Sequence, residues 1–217
     1  MTVVDEIGTR LLRLHAAPAL RVAVDGVDGV GKTTFADSLG EWLAAHGRAI
    51  IRSSADDFHN CQSIRYRLGR ASPEGFYRDS YDYAALRRNL LDPLSPGGSG
   101  RYRVAVFDHV ADSGMMASEQ EASIDAILIV DGLFLHRPEL NGYWDFTVYL
   151  DAPFDITVPR GAARGAGFGD PDPSSESNRR YVEGNRIYFR EASPKARATV
   201  VVDCADLSHP LIVAWKG

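Results

Sequence analysis

A lysine set among glycines is the first feature with chemical content. Residues 23–37 read AVDGVDGVGKTTFAD and satisfy the pattern G-x-x-x-x-G-K-S/T with Gly26, Gly31, Lys32 and Thr33. Glycines let the backbone close on a ligand without Cβ clashes, and the amides that open a helix converge on an anion. The expected ligand is a nucleoside triphosphate, ATP, bound with Mg²⁺. Its expected contacts are Gly26, Asp28, Gly29, Val30, Gly31, Lys32, Thr33 and Thr34. Lys32 would neutralise the β and γ phosphates, and the Thr33 hydroxyl would hold the metal. Lysine occurs elsewhere only at 195 and 216, all other cations being arginine, so its place in this loop is selective.

Phosphoryl transfer needs three further groups. A second carboxylate must place the metal, and AILIVDG presents Asp131 at the end of an apolar run. Another carboxylate must take the acceptor's proton and align its hydroxyl with the γ phosphate. SSADDFHN offers Asp56 and Asp57, with Asp56 the first candidate. Finally, VPRGAARGAGFGD carries Arg160 and Arg164 four apart on a predicted helix, so they share a face that can cover the transferring group.

The elements that must hold these residues are legible as an alternation. Helical spacing of Val4, Ile7, Leu11 and Leu14 predicts a helix over 3–16. RVAVDG then reads as a strand, TTFADSLGEWLAAHG as a helix, RAIIRSS as a strand and YDYAALRRNLLDPL as a helix. RYRVAVFDH, DAILIVDGLFL and WDFTVYLDA read as strands, a helix follows over about 153–164, and ATVVVD reads as the last strand. Such βα repetition predicts an α/β fold with a parallel, doubly wound sheet. SPGGSGR is a flexible connection, and GAGFGDPDPSSES predicts a mobile lid over approximately 160–178. The whole of 1–217 is expected to be one domain.

Composition removes several function classes. The chain has 217 residues, 45% of them hydrophobic, enough for one well-buried domain. Its 29 acidic and 24 basic residues give a charge of −5, so no general attraction to nucleic acid or membrane is expected. No apolar run approaches the ~20 residues that cross a bilayer, and a cytoplasmic protein is expected. Cys61 and Cys204 lie far apart without C-x-x-C spacing, which predicts free thiols and no metal framework. N-K-x-D, the base-reading element of guanine-nucleotide switches, is absent. A kinase of a small molecule is what remains, with self-association left open.

Taken in order, the motifs resemble the uridine kinase and phosphoribulokinase family, in particular its uridine kinase-like branch. They are GVDGVGKTT, DDFH, SPEGFYRDSYD, ALRRNLLDPL, FDH, IVDGLFLHRPEL, WDFTVYLD and RYVEGNRIYF, spanning about 20–206. The resemblance implies a P-loop kinase with a five-stranded parallel sheet, transferring phosphate from ATP to a primary hydroxyl, the 5′ position of a nucleoside such as uridine. It implies that Asp56 is the acceptor-side base, that His59 stands where tyrosine is frequent, and that Phe107 and Asp108 sit near base and sugar. It also matches Asp131 to the family's acidic residue after the central strand. Two departures are visible: Asp112 aligns with a histidine of pyrimidine kinases, and Arg164-Gly165 replaces Arg-Asp at the lid. Two other readings stay open. One is a non-nucleoside acceptor (pantothenate, a sugar or a sugar phosphate), for which Arg65, Arg67 and Arg70 are available cations or else a solvated face. The other is an ATP-binding regulator without catalysis.

Overall fold

Runs such as AILIVDG are apolar at nearly every position, so their strands can bury both faces and must lie inside a layered sheet. The computed structural model describes residues 2–165 and 169–216. Its main sheet contains β1 (Ala19–Gly26), β2 (Ile50–Ser54), β3 (Ala126–Gly132), β4 (Phe146–Asp151), β5 (Val200–Asp203) and β6 (Leu211–Trp215). The spatial order is β6-β5-β4-β1-β3-β2. All neighbours are parallel except β6, which returns antiparallel on β5. The expected five-stranded parallel sheet is therefore extended to six by an antiparallel edge. Seven residues join β5 to β6, too few for the crossover that a parallel pair requires.

Alternation along the central strands divides the core. Leu20, Val22 and Val24 of β1, with Ile127 and Ile129 of β3, pack on α1 (Val3–Leu11) and α2 (Lys32–Ala45) through Ile7, Leu11, Leu39 and Leu43. On the other face, Ala23, Leu128 and Val130 join Phe76, Tyr77 and Tyr188 of the helices α3 (Pro73–Asp79) and α5 (Arg179–Ala192); α4 (Phe154–Ala163) lies between α3 and α5 in the chain. The first helix is shorter than its periodicity predicts. Thr2 and Asp5 close a capping box at its start; the Leu12 amide makes the last bond to a residue four back, Gly8, and Arg13 and Leu14 tighten to bonds three back before the chain turns toward β1.

RYRVAVFDH is not a strand of the sheet. Arg101–Tyr102 pairs with Gln120–Glu121, and Phe107–Asp108 with Ser113–Gly114, as two small antiparallel ribbons. The residues between them are held by scattered hydrogen bonds, among them Ser53 Oγ donating to the Val104 carbonyl at 2.8 Å and the Val106 amide to that of Asp57 at 3.1 Å. YDYAALRRNLLDPL is helical as expected, with an α turn over Tyr83–Leu86 that widens to a π turn over Arg87–Leu91. Of the expected lid, residues 166–168 lie outside the described residues. Beyond them, the buried Asn178 amide donates to the carbonyls of Asp170 at 2.7 Å and Asp172 at 2.8 Å, which folds that part of the segment onto the start of α5. No described helix is long and apolar enough to cross a membrane.

Candidate active site

The glycine loop runs from the end of β1 into α2. Gly31 stands at the helix N-cap in a left-handed conformation, φ 99°, and offers no side-chain cap, so the first-turn amides remain open to a ligand. Gly29 is equally constrained. Its φ is 77°, and a Cβ there would lie 2.1 Å from the Thr157 carbonyl oxygen of α4. Lys32 Nζ donates to the Val27 carbonyl at 2.9 Å, folding back over the loop.

Beneath the loop lies a polar network that the motif does not announce. Asp25 is fully buried in β1 and accepts from the Gly26 amide at 2.7 Å, while His136 Nδ1 lies 2.6 Å from its other oxygen. The Tyr188 hydroxyl donates to that same oxygen and accepts from the His136 amide at 2.9 Å. A carboxylate inside an apolar strand requires such partners. That requirement is the signal by which Asp25 could have been found, although its partners could not.

Next to the loop, the Thr33 hydroxyl donates to Asp131 Oδ2 at 2.8 Å, and Arg52 holds the other oxygen at 2.9 Å. Thr33 and Asp131 thus converge as the metal reading requires. Mg²⁺ typically takes one or two carboxylates and completes its shell with water and substrate phosphates, so this donor pair fits. No larger group of His, Cys, Asp or Glu with ligand spacing occurs among the described residues.

The two aspartates after β2 separate. Asp57 turns inward and accepts from the Ser54 amide at 3.2 Å, closing a capping box on the short Ala55–Phe58 turn, and burial raises its pKa. Asp56 is half-exposed and accepts from the Tyr81 hydroxyl at 3.0 Å. Tyr81 is buried, which pushes its phenol well above the ordinary value and keeps it a donor. The His59 ring lies 4.6 Å from that of Tyr81, and desolvation lowers its pKa. Gly132 permits this closeness between the ends of β2 and β3, since a Cβ there would lie 2.4 Å from that of Ala55.

These groups meet in one cavity of about 310 Å³. Asp28, Gly29, Gly31, Lys32, Thr33, Asp56, His59, Asp131 and Arg164 all line it. Among the residues without an assigned role that line it too are Tyr66, Phe76, Tyr181 and Arg180, together with Arg65. Asp28 accepts from the Asn185 amide at 3.2 Å, and burial raises its pKa. A second cavity of about 560 Å³ shares Gly31 and Arg164 with the first and is walled by Val30, Thr34, Phe35, Ala163, Leu207 and Pro210.

Other expected residues lie elsewhere. Gly26 is buried beneath the loop. Arg160 donates to the carbonyls of Cys204 and Ala205 and borders the second cavity, so it does not share Arg164's position over the first. Phe107 and Asp108 line neither cavity. The Asp108 carboxylate is occupied by the amides of Val110 and Ala111 at 2.9 and 3.0 Å, which lower its pKa. Asp112 binds the Gln62 amide and Arg65 Nη2, each at 2.9 Å.

The chain is similar to known proteins in sequence and in fold. The thymidylate kinase family model matches residues 24–207. The thymidylate kinase of Jannaschia sp. (strain CCS1) is 27% identical over 154 residues, 69% of this chain and 72% of that protein. Among solved structures, a possible uridine kinase from Bacillus stearothermophilus superposes with a TM-score of 0.71 at 24% identity, covering 91% of this chain and 96% of that one. D-glycerate 3-kinase from Cryptococcus neoformans superposes with a TM-score of 0.64 at 15% identity, covering 99% and 98%. The likeness to the solved structures is one of fold, whereas the match over 24–207 shows that the chain belongs to the thymidylate kinase family of P-loop kinases.

Proposed function

We propose that this protein is an ATP- and Mg²⁺-dependent kinase that phosphorylates a hydroxyl of a small metabolite seated beside Asp56. One observation carries the reading: the Asp56 carboxylate lines the same cavity as Lys32, Thr33 and Asp131. The acceptor oxygen bonds to the γ phosphorus as the bond to the β,γ-bridging oxygen breaks, ADP leaves, and the hydroxyl proton passes to Asp56. Lys32 and the open amides of α2 take up charge on the phosphates, and Arg164 stands over the same cavity. Thr33 and Asp131 would hold Mg²⁺, which supplies charge neutralisation across the β and γ oxygens. The apolar second cavity, which shares Gly31 and Arg164 with the first as lining residues, suits the nucleotide's base.

A hydroxyl acceptor accounts for Asp56 better than a phosphate acceptor such as thymidylate, the substrate named by the curated relatives. A phosphate oxygen is already an anionic nucleophile, so it needs no base and is repelled by a carboxylate. The uridine kinase-like reading makes the hydroxyl a nucleoside 5′ position, and the rings of Tyr66, Phe76 and Tyr181 suit a nucleobase. The position of Phe107 and Asp108 outside the cavity lining counts against that choice, and Arg65 and Arg180 within it favour a charged non-nucleoside acceptor.

A panel of nucleosides, sugars, sugar phosphates, hydroxy acids and thymidylate, read by ADP formation, tests the proposal. At least one hydroxyl compound should accelerate ADP release. Asp56→Asn should then lower kcat by at least ~100-fold with ATP affinity retained, the usual scale for a positioned acid–base group. Near-normal turnover in that variant, or acceleration by thymidylate alone, would remove Asp56 from the mechanism. Tight ATP binding with no transfer to any compound would favour the regulator.

A further inference from the structure

Arg180, in the first turn of α5, is a buried cation without an acid. It is 8% exposed and lines the acceptor cavity. Its guanidinium lies 5.0 Å from the Tyr66 ring, 5.1 Å from Phe76 and 5.9 Å from Tyr181, and Nη1 donates to the Arg70 carbonyl at 2.8 Å. Among the described residues it forms no ion pair. Arg65, equally buried at 7%, differs in this respect, because Asp112 takes its Nη2. Aromatic faces offset part of the cost of burying a guanidinium, and Asp28 acts on it only at a distance, so among the described residues its charge has no contacting counter-ion and Nη1 alone has an acceptor. Lys32 and Arg164 have tasks at the phosphate loop in the kinase reading, and Arg65 is held by Asp112. Arg180 has neither, since it sits among the residues of the acceptor half.

We propose that the acceptor carries, besides the hydroxyl presented to Asp56, an oxyanion that seats against Arg180. A phosphate or a carboxylate meets the requirement equally, since each accepts paired hydrogen bonds from a guanidinium. Arg65, oriented by Asp112, supplies a second positive group on the same wall of the cavity. Of the three arginines in IRYRLGR, only Arg65 is placed for this. Arg67 is paired with Asp79 at 2.7 Å, and Arg70 stacks on Tyr66 at 4.5 Å. The inference rests on the kinase reading above and narrows its substrate to a hydroxylated organic anion.

Paired acceptors in which one hydroxyl or hydroxymethyl group of the neutral member is replaced by a phosphoester or carboxylate test it: ribose and ribose 5-phosphate, glycerol and glycerate, uridine and uridine 3′-monophosphate, each with the full chain, ATP and Mg²⁺. In at least one pair the charged member should show a KM roughly 30-fold below its neutral partner, the scale of a charge-assisted hydrogen-bonded pair. Arg180→Met should raise that KM by roughly 30-fold or more while the KM for ATP and the neutral partner's kcat/KM stay within about twofold. Arg180→Lys should recover part of the loss. A structural clamp would behave differently, since Arg180→Met would then depress charged and neutral acceptors alike, and that result overturns the proposal. Preference for the neutral member in every pair overturns it while leaving the kinase reading intact. If no hydroxyl compound accelerates ADP formation, both fall. Should Arg180→Met not fold, the wild-type comparison and Arg180→Lys decide.

Discussion

At the scale of single residues, two adjacent aspartates illustrate how position divides labour. Asp57 is spent on the backbone of Ser54 and does not line the cavity, whereas Asp56 faces it with Tyr81 as donor. Their substitutions should therefore have opposite signatures. Asp57→Ala should cost about 1 kcal/mol of stability, the usual loss of a capping side chain, with kcat within a few-fold. Asp56→Ala should leave the denaturation midpoint near that of the wild type and lower kcat by ~100-fold or more. Urea titration and initial rates on the same two variants check both statements. Equal losses of stability in the two would mean that the local turn, rather than the carboxylates, decides.

Elements bring these residues together by close approach. The glycine loop passes under α4 where Gly29 meets the Thr157 carbonyl, a contact with no room for a methyl group. Gly29→Ala should therefore displace loop or helix and weaken ATP binding by at least ~10-fold, with overpacking and backbone strain together costing about 1–3 kcal/mol. Gly47 supplies the control. Its φ is 84°, but nothing lies within 4 Å of a Cβ built there, so Gly47→Ala should carry strain of about 1 kcal/mol and leave ATP affinity unchanged. Calorimetric titration with ATP separates the two cases. Gly184 plays a comparable part between α3 and α5, where a Cβ would lie 2.6 Å from the Phe76 ring. That approach brings Arg180 over Phe76 and Tyr66.

For the molecule as a whole, the site lies at the carboxyl ends of β1, β2 and β3, where an open α/β sheet leaves its crevice. The burial that forms the crevice also couples stability to pH. His59 is mostly covered, and desolvation holds its pKa below the ordinary value of 6.5. The folded chain therefore keeps this ring neutral while the unfolded chain binds a proton as pH falls below 6.5. Its contribution is present above that value and is lost progressively as pH falls toward the depressed folded value. The urea midpoint should drop between pH 7 and pH 5 by more in the wild type than in His59→Phe. Parallel curves for the two would show that His59 does not carry this dependence.

Local rules were enough for much of this. The glycine loop is a contiguous pattern whose ligand geometry is set within one turn of chain, and apolar runs broken by glycine and aspartate mark the strands and place Asp56 and Asp131 at their ends. ATVVVD reads as the last strand, yet LIVAW follows it in the sheet, because its antiparallel return on β5 depends on which edge was free. RYRVAVFDH had strand composition too, yet the sheet continues through β3, and this run is left to short ribbons that carry Phe107 and Asp108 away from the cavity. Asp25 with His136 and Tyr188, or Arg180 over Tyr66, join residues more than a hundred positions apart. Such pairs leave no periodicity in the chain, because the energy that selects them is the desolvation of a charge, and that cost exists only once distant elements have closed around it.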